Sequence, residues 1–178
     1  MAGDERLRLF CALRLPAEVV ELLVGWQRAE LRGGRIVPPE HLHVTLAFLG
    51  HRPAAELDAV VAALRAAAAH ASPIRLQALG YRETRSVGML TLTDEDGGAT
   101  ALAERLHGLL EAAGLYRREA RPWLPHVTVL RFRDRPRLRP APPELGEISP
   151  SDAAVFMSRL GPGGARYEVL ETVSLGGR

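Results

Sequence analysis

Two short tetrapeptides carry the residue types in this chain best suited to moving protons. His43-Val44-Thr45-Leu46 recurs 83 residues later as His126-Val127-Thr128-Val129. Each copy is His-x-Thr-x with apolar x, set in a short apolar run rich in β-branched residues. Side chains of a strand alternate between its faces, so each His shares a face with its Thr while the apolar residues take the other. Two such strands on one cleft would supply an acid, a base and two hydroxyls. That set suits a phosphodiester with an activated leaving group, the hydroxyls holding non-bridging oxygens while charge redistributes. It supplies no metal and no covalent nucleophile, so a strained 2′,3′-cyclic phosphate fits it well. A single His-x-Thr in a strand is commonly structural, but a strand interior has no packing reason to place His twice in matched surroundings.

The other candidates for chemistry are weaker. His41 and His43 lie two apart and resemble a His-x-His ligand pair, yet nothing close by completes a familiar metal set. No metal and no cofactor is expected, and His41 reads as a neighbour of the site or a surface residue. His51, His70 and His107 fall at a turn or on helices and are expected to face solvent. Cys11 is the only cysteine, which excludes an intrachain disulfide. Its place in the apolar run from Leu9 to Leu13 makes it a buried, inert thiol.

The elements that must position the motifs belong to a globular chain. It has 178 residues, 47% of them apolar and 25% charged, enough for one domain or two small lobes sharing a core. The net charge is only +2, and all 23 basic residues are Arg; biased codon usage is the leading reading, and the other is that guanidinium forks suit phosphate. Met1 to Arg8 is charged and lacks the apolar stretch of a signal peptide. Ala54 to Ala71 is interrupted by Glu56, Asp58, Arg65 and His70, so it is no membrane span. The expectation is a cytoplasmic protein with no membrane partner.

Leu7 to Leu15 reads as a strand, followed by a helix from Pro16 to about Arg32 that Gly33-Gly34 ends. The first motif strand spans His41 to Leu49, closed by Gly50, and Ala54 to His70 shows helical spacing. Ile74 to Tyr81 and Val87 to Thr93 read as strands, and Thr100 to Ala113 as a helix. The second motif strand spans His126 to Phe132, and an Arg/Pro-rich loop follows to Pro143. Ala153 to Leu160 and Tyr167 to Leu175 form a hairpin around Gly161-Pro162-Gly163-Gly164. Each motif strand follows a helix and a proline-marked turn, which hints at a duplicated unit.

Four stretches resemble the two-histidine phosphoesterase superfamily. They are Arg8 to Ala12, Pro39 to Gly50, Pro125 to Arg131, and Ser158 to Tyr167 with Val169-Leu170. Together they span most of the chain, and within that superfamily they are most similar to the RNA 2′,3′-cyclic phosphodiesterases of the LigT/ThpR type, also named 2′-5′ RNA ligases. The resemblance implies a bilobal α+β fold over residues 1–178: two pseudo-symmetric lobes, each an antiparallel sheet backed by helices, with the active-site cleft between them. It implies metal-independent opening of a terminal RNA 2′,3′-cyclic phosphate to a 2′-phosphomonoester, and in some members 2′-5′ ligation. His43 would protonate the departing O3′, His126 would activate water, and Thr45 and Thr128 would grip phosphate oxygens. The partner would be RNA with a cyclic-phosphate end, or a cyclic nucleotide, bound by a monomer.

Two further residues match recurrent family positions. Arg131 would bind phosphate, but strict alternation from His126 puts it on the opposite face unless a bulge intervenes. Phe48 would stack a base, under the same objection, and core packing is its other reading. Arg131, Arg133, Arg135, Arg137 and Arg139 form an alternating basic strip, read either as an RNA-backbone contact or as a solvated, flexible loop. Two other functions stay open: an RNA-end or nucleotide-binding module without turnover, and a phosphodiesterase acting on a small cyclic nucleotide.

Overall fold

The structure is a computed structural model and describes residues 5–177. The charged N-terminal segment Met1 to Arg8 therefore lies partly outside the described residues. From Arg6 onward the chain is already in the sheet: β1 runs Arg6–Arg14, and α1 runs Ala17–Glu30. A two-residue strand, β2 (Arg35–Ile36), precedes the first motif strand β3 (His43–Pro53), and α2 (Leu57–Ala69) follows. Then come β4 (Gln77–Glu83), β5 (Val87–Thr93), α3 (Gly98–Ala112) and the second motif strand β6 (His126–Arg131). The hairpin β7 (Asp152–Gly161) and β8 (Gly164–Ser174) ends the sheet.

All strands belong to one curled antiparallel sheet of order β4-β5-β6-β3-β1-β7-β8, with β2 pairing β6. The fold is α+β as expected, but the two anticipated lobes are not separate sheets. The motif strands β3 and β6 pair directly at Val44↔Val127 and weld both halves into one surface. Val44 and Val127 are buried apolar residues, so joining the halves there removes both from water.

The two faces of the sheet are unlike. One carries the helices, and Leu9, Leu13, Val44, Leu46, Val127 and Val129 pack there with helix residues such as Leu23, Leu64, Leu102 and Leu106. Full burial of each large aliphatic side chain is worth about 1.5–3 kcal/mol. The other face holds a small separate cluster of Phe10, Ala12, Ala154 and Phe156, with Tyr167 against it. That cluster lies beside the His43 ring.

Local sequence explains most boundaries. Asp94 accepts the amides of Ala99 and Thr100 and so caps α3, and Gly114 follows its end in the left-handed conformation that glycine tolerates. Gly50 has a positive φ of 70° but does not close β3, which continues to Pro53 because Arg6 to Leu9 pair with it. His41 lies in a short 3-10 turn, Pro39–His41, rather than in the strand.

Candidate active site

The Val44↔Val127 pairing fixes how the two motifs meet. Continuing that antiparallel register sets His43 opposite Thr128 and Thr45 opposite His126, all on one face. Each His is then flanked across the strand by the other motif's hydroxyl. The imidazoles are held in the same tautomer by the same device. His43 Nδ1–H donates to the carbonyl of His41 at 2.8 Å, and His126 Nδ1–H donates to that of Leu124 at 3.0 Å. A carbonyl can only accept, so Nδ1 carries the hydrogen in both rings and Nε2 is left for chemistry. The Thr45 hydroxyl lies 2.9 Å from His43 Nε2.

Their surroundings are not the same. Phe10 and Phe156 stack on His43 at centroid distances of 5.0 and 6.0 Å, whereas His126, half-buried like His43, has no aromatic ring stacked on it among the described residues. Burial is the main cause that lowers the His43 pKa to about 4, opposed by the His41 hydrogen bond and reinforced by the charges of His41, His126 and Arg131. His43 is therefore neutral at pH 7.

The parity objection to Phe48 and Arg131 is answered by two bulges. Cys11 pairs Ala47 but Ala12 pairs Thr45, leaving Leu46 as an extra residue in β3. Gly88 pairs Leu130 but Met89 pairs Thr128, leaving Val129 extra in β6. The bulges occupy the same position of the two motifs. In each, two consecutive residues are buried, Leu46-Ala47 and Leu130 with Val129, and the side-chain phase is reversed beyond them. Phe48 and Arg131 consequently share the face of the histidines and line the cleft, with Phe48 48% exposed rather than in the core.

That cleft, about 320 Å³, is lined by His43, Thr45, Thr128, Phe48 and Arg131 together with Arg8 and Tyr167. His126 is not among its lining residues; the register places it on the same face, opposite Thr45. Arg8 was not singled out from the sequence; it donates to Ser158 Oγ at 2.9 Å and holds its guanidinium 4.7 Å above the Phe48 ring. Tyr167 was also missed, and stacks on His41 at 4.1 Å. Both lie inside the stretches that carry the family resemblance, but only the sheet order β3-β1-β7-β8 brings them to His43. A second cavity of about 400 Å³ adjoins, lined by Arg35, Arg131, Arg166, His41 and Tyr167 among others.

The chain is similar to known proteins over most of its length. The family model described as the 2′-5′ RNA ligase superfamily matches residues 16–156. An RNA 2′,3′-cyclic phosphodiesterase of Thermus thermophilus is 36% identical over 96% of this chain and 91% of its own length. The chain belongs to the 2′-5′ RNA ligase superfamily. Another RNA 2′,3′-cyclic phosphodiesterase, of Escherichia coli, is 28% identical over 97% of this chain and 98% of its own length. Among solved structures, TT0787 of Thermus thermophilus superposes with a TM-score of 0.82 at 36% identity, covering 96% of this chain and 99% of that one. The structure of E. coli LigT complexed with 3′-AMP gives a TM-score of 0.82 at 25% identity, with 96% and 99% covered.

In this member of the 2′-5′ RNA ligase superfamily, several polar residues depart from their sequence reading. His107 does not face solvent: it is buried, and its Nε2–H donates to the Leu46 carbonyl at 2.7 Å. The signal was present, since His107 lies one turn from Ala103 and Leu110 on the apolar face of α3. His51 and His70 are exposed as expected. Cys11 is buried, which pushes its thiol up to about 12 and leaves it unreactive. Among the described residues no group of three His, Cys, Asp or Glu side chains is arranged to hold a metal ion.

The superfamily member's Arg strip does not act as one surface. Arg131 lines the cleft, whereas Arg135 pairs with Glu83 at 3.2 Å. Glu83 also accepts the amides of Arg137 and Leu138 and the Tyr81 hydroxyl. Burial alone would raise the Glu83 pKa, but these donors together hold it below the usual value. The loop is thus pinned to β4, with Arg133 and Arg139 left exposed. None of the helices is long and apolar enough to cross a membrane among the described residues.

Proposed function

We propose that the protein hydrolyses the terminal 2′,3′-cyclic phosphate of RNA to a 2′-phosphomonoester without a metal ion. The observation that carries this is the pair of tautomer-locked imidazoles on adjacent strands, each opposite the other motif's threonine. Water attacks phosphorus as His126 Nε2 takes its proton. The P–O3′ bond breaks, and His43 Nε2–H delivers a proton to the departing O3′. Thr45, Thr128 and Arg131 hold the non-bridging oxygens, and Phe48 offers its exposed ring to the terminal base. His43 is neutral before substrate arrives, so its acid role requires the phosphate charge to raise its proton affinity on binding. Run with the 5′-hydroxyl of a second RNA in place of water, the same steps form a 2′-5′ bond.

The relatives and the adjoining space support this substrate class. The similar phosphodiesterases are named for RNA, and E. coli LigT has been crystallised with 3′-AMP and with ATP. The 400 Å³ cavity beside the cleft, with Arg35, Arg131 and Arg166, is of a size to take the preceding nucleotide and its phosphate. Both motif strands lie in one sheet of one chain, so a monomer of a single domain would suffice. Its halves act as two related lobes about the Val44/Val127 pair. Its place of action would be the cytoplasm.

The test is an oligoribonucleotide ending in a 2′,3′-cyclic phosphate, incubated with EDTA, with the product phosphate mapped. A 2′-phosphate is expected, and H43A and H126A should each lower kcat by about 10²–10⁴ while keeping the native melting profile. Tight binding without product would instead identify a binding module. Equal kcat/KM for a cyclic mononucleotide and the oligomer would move the substrate to small nucleotides.

A further inference from the structure

The described residues include three buried polar side chains, Gln27, His107 and Ser158. Ser158 holds Arg8, the guanidinium above Phe48. The other two act at matched places. His107 Nε2–H donates to the carbonyl of Leu46, the extra residue of the β3 bulge. Gln27 Nε2 donates to the carbonyl of Val129, the extra residue of the β6 bulge, at 2.9 Å, and to the Val37 carbonyl at 3.1 Å; the Val129 carbonyl also accepts the Val37 amide at 3.1 Å. Leu46 and Val129 are the equivalent fourth residues of the two His-x-Thr-x motifs.

We propose that Gln27 and His107 are positioning residues that lock these bulges and thereby aim Arg131 and Phe48 into the cleft. The inference rests on the function proposed above. His107 gives the Leu46 carbonyl a side-chain donor, while Gln27 gives the Val129 carbonyl a second donor beside the Val37 amide and also bonds the Val37 carbonyl, so each side chain ties its buried bulge to the helix packed on it. Both bulges lie under helices, where water cannot serve. Each cap therefore stabilises the one backbone arrangement that reverses side-chain phase two residues before the substrate contact. Without the phase reversal Arg131 would point into the helix-side core, where an unpaired guanidinium is not tolerated. The caps are also exchanged between halves: α1, which follows β1, serves β6, and α3, which follows β5, serves β3. Gln27 belongs to Arg131 and His107 to Phe48.

The pairing gives a test that a general loss of stability would not reproduce. Binding of inorganic phosphate and of adenosine 3′-monophosphate is measured by calorimetry or NMR titration for Q27M and H107L, each checked for a cooperative melt. Q27M should weaken both probes by about fivefold or more, because the phosphate contact of Arg131 is loosened. H107L should weaken adenosine 3′-monophosphate by a similar factor and leave phosphate unchanged. In an R131A background Q27M should add less than twofold, while in F48A its effect should persist; H107L should show the reverse pattern. H107Q, which keeps a donor, should recover most of the loss. Equal weakening of both probes by both variants in every background would overturn the proposal, and so would no change. If either apolar variant does not fold, Q27N and H107N, which shorten the reach of the donor, take their place under the same criteria. Because the readout is binding, the outcome stands apart from whether RNA cyclic phosphate is turned over.

Discussion

The rings of Phe10 and His43 lie against each other with centroids 5.0 Å apart and planes 29° apart, and this contact sets the two motif histidines apart. Both imidazoles are half-buried, but among the described residues aromatic rings pack on His43 and none on His126. A symmetric motif is thus given two unlike proton carriers by the aromatic cluster on β1 and β7.

One consequence is a pH-dependent stability. The folded His43 pKa of about 4 lies below the ordinary imidazole value of 6.5. As pH falls, the unfolded chain takes up this proton first, so the contribution of His43 is whole above pH 6.5 and is lost between about 6.5 and 4. Urea unfolding at pH 7 and pH 5 should show a decline about 1–2 kcal/mol larger in the native protein than in H43N, after allowance for its partial exposure. Equal declines would show that burial does not depress this group.

A second consequence is proton uptake on anion binding. Sulfate does not titrate near pH 6, so any proton taken up as it binds comes from the protein. Calorimetry in two buffers of different ionisation enthalpy should reveal uptake in the native protein and much less in H43Q. Absence of a difference would transfer the base role to His43 and the acid role to His126.

Arg131 and Phe48 should separate kinetically. R131A removes charge-assisted hydrogen bonds to phosphate, each worth about 1.5–3 kcal/mol, and should raise KM by roughly 10–100-fold for every cyclic phosphate tested. F48A should matter mainly where a base can stack, costing about 1–3 kcal/mol with a nucleotide and little with a cyclic phosphate lacking a base. Steady-state kinetics on both substrates checks this; identical profiles would deny Phe48 its stacking role.

Gly34 should tolerate no side chain. A Cβ there would overlap the Arg131 carbonyl oxygen and sit 3.1 Å from Phe132 Cβ. G34A should therefore destabilise the protein by about 1–3 kcal/mol and raise KM by displacing the end of β6. Thermal melts with kinetics on the folded fraction decide it, and an unchanged KM would mean that the strand end yields without moving Arg131.

The sequence by itself settled the repeated His-x-Thr pair, the order of strands and helices apart from the two-residue β2, and the burial of Cys11, because these follow from local periodicity and residue type. Gln27 was not singled out, although Val19, Leu23 and Gln27 recur at one helix turn and are the buried residues of α1. What it could not settle was decided by non-local pairing. Alternation assigns Phe48 and Arg131 to the wrong face, since a bulge depends on the neighbouring strand's register and not on the bulged residues. Separate lobes became one sheet because Val44 and Val127, 83 residues apart, pair across the middle. The difference between two identical motifs likewise arises only in three dimensions. Phe10 and Phe156 come from opposite ends of the chain, and packing them on His43 rather than His126 is a property of sheet order alone.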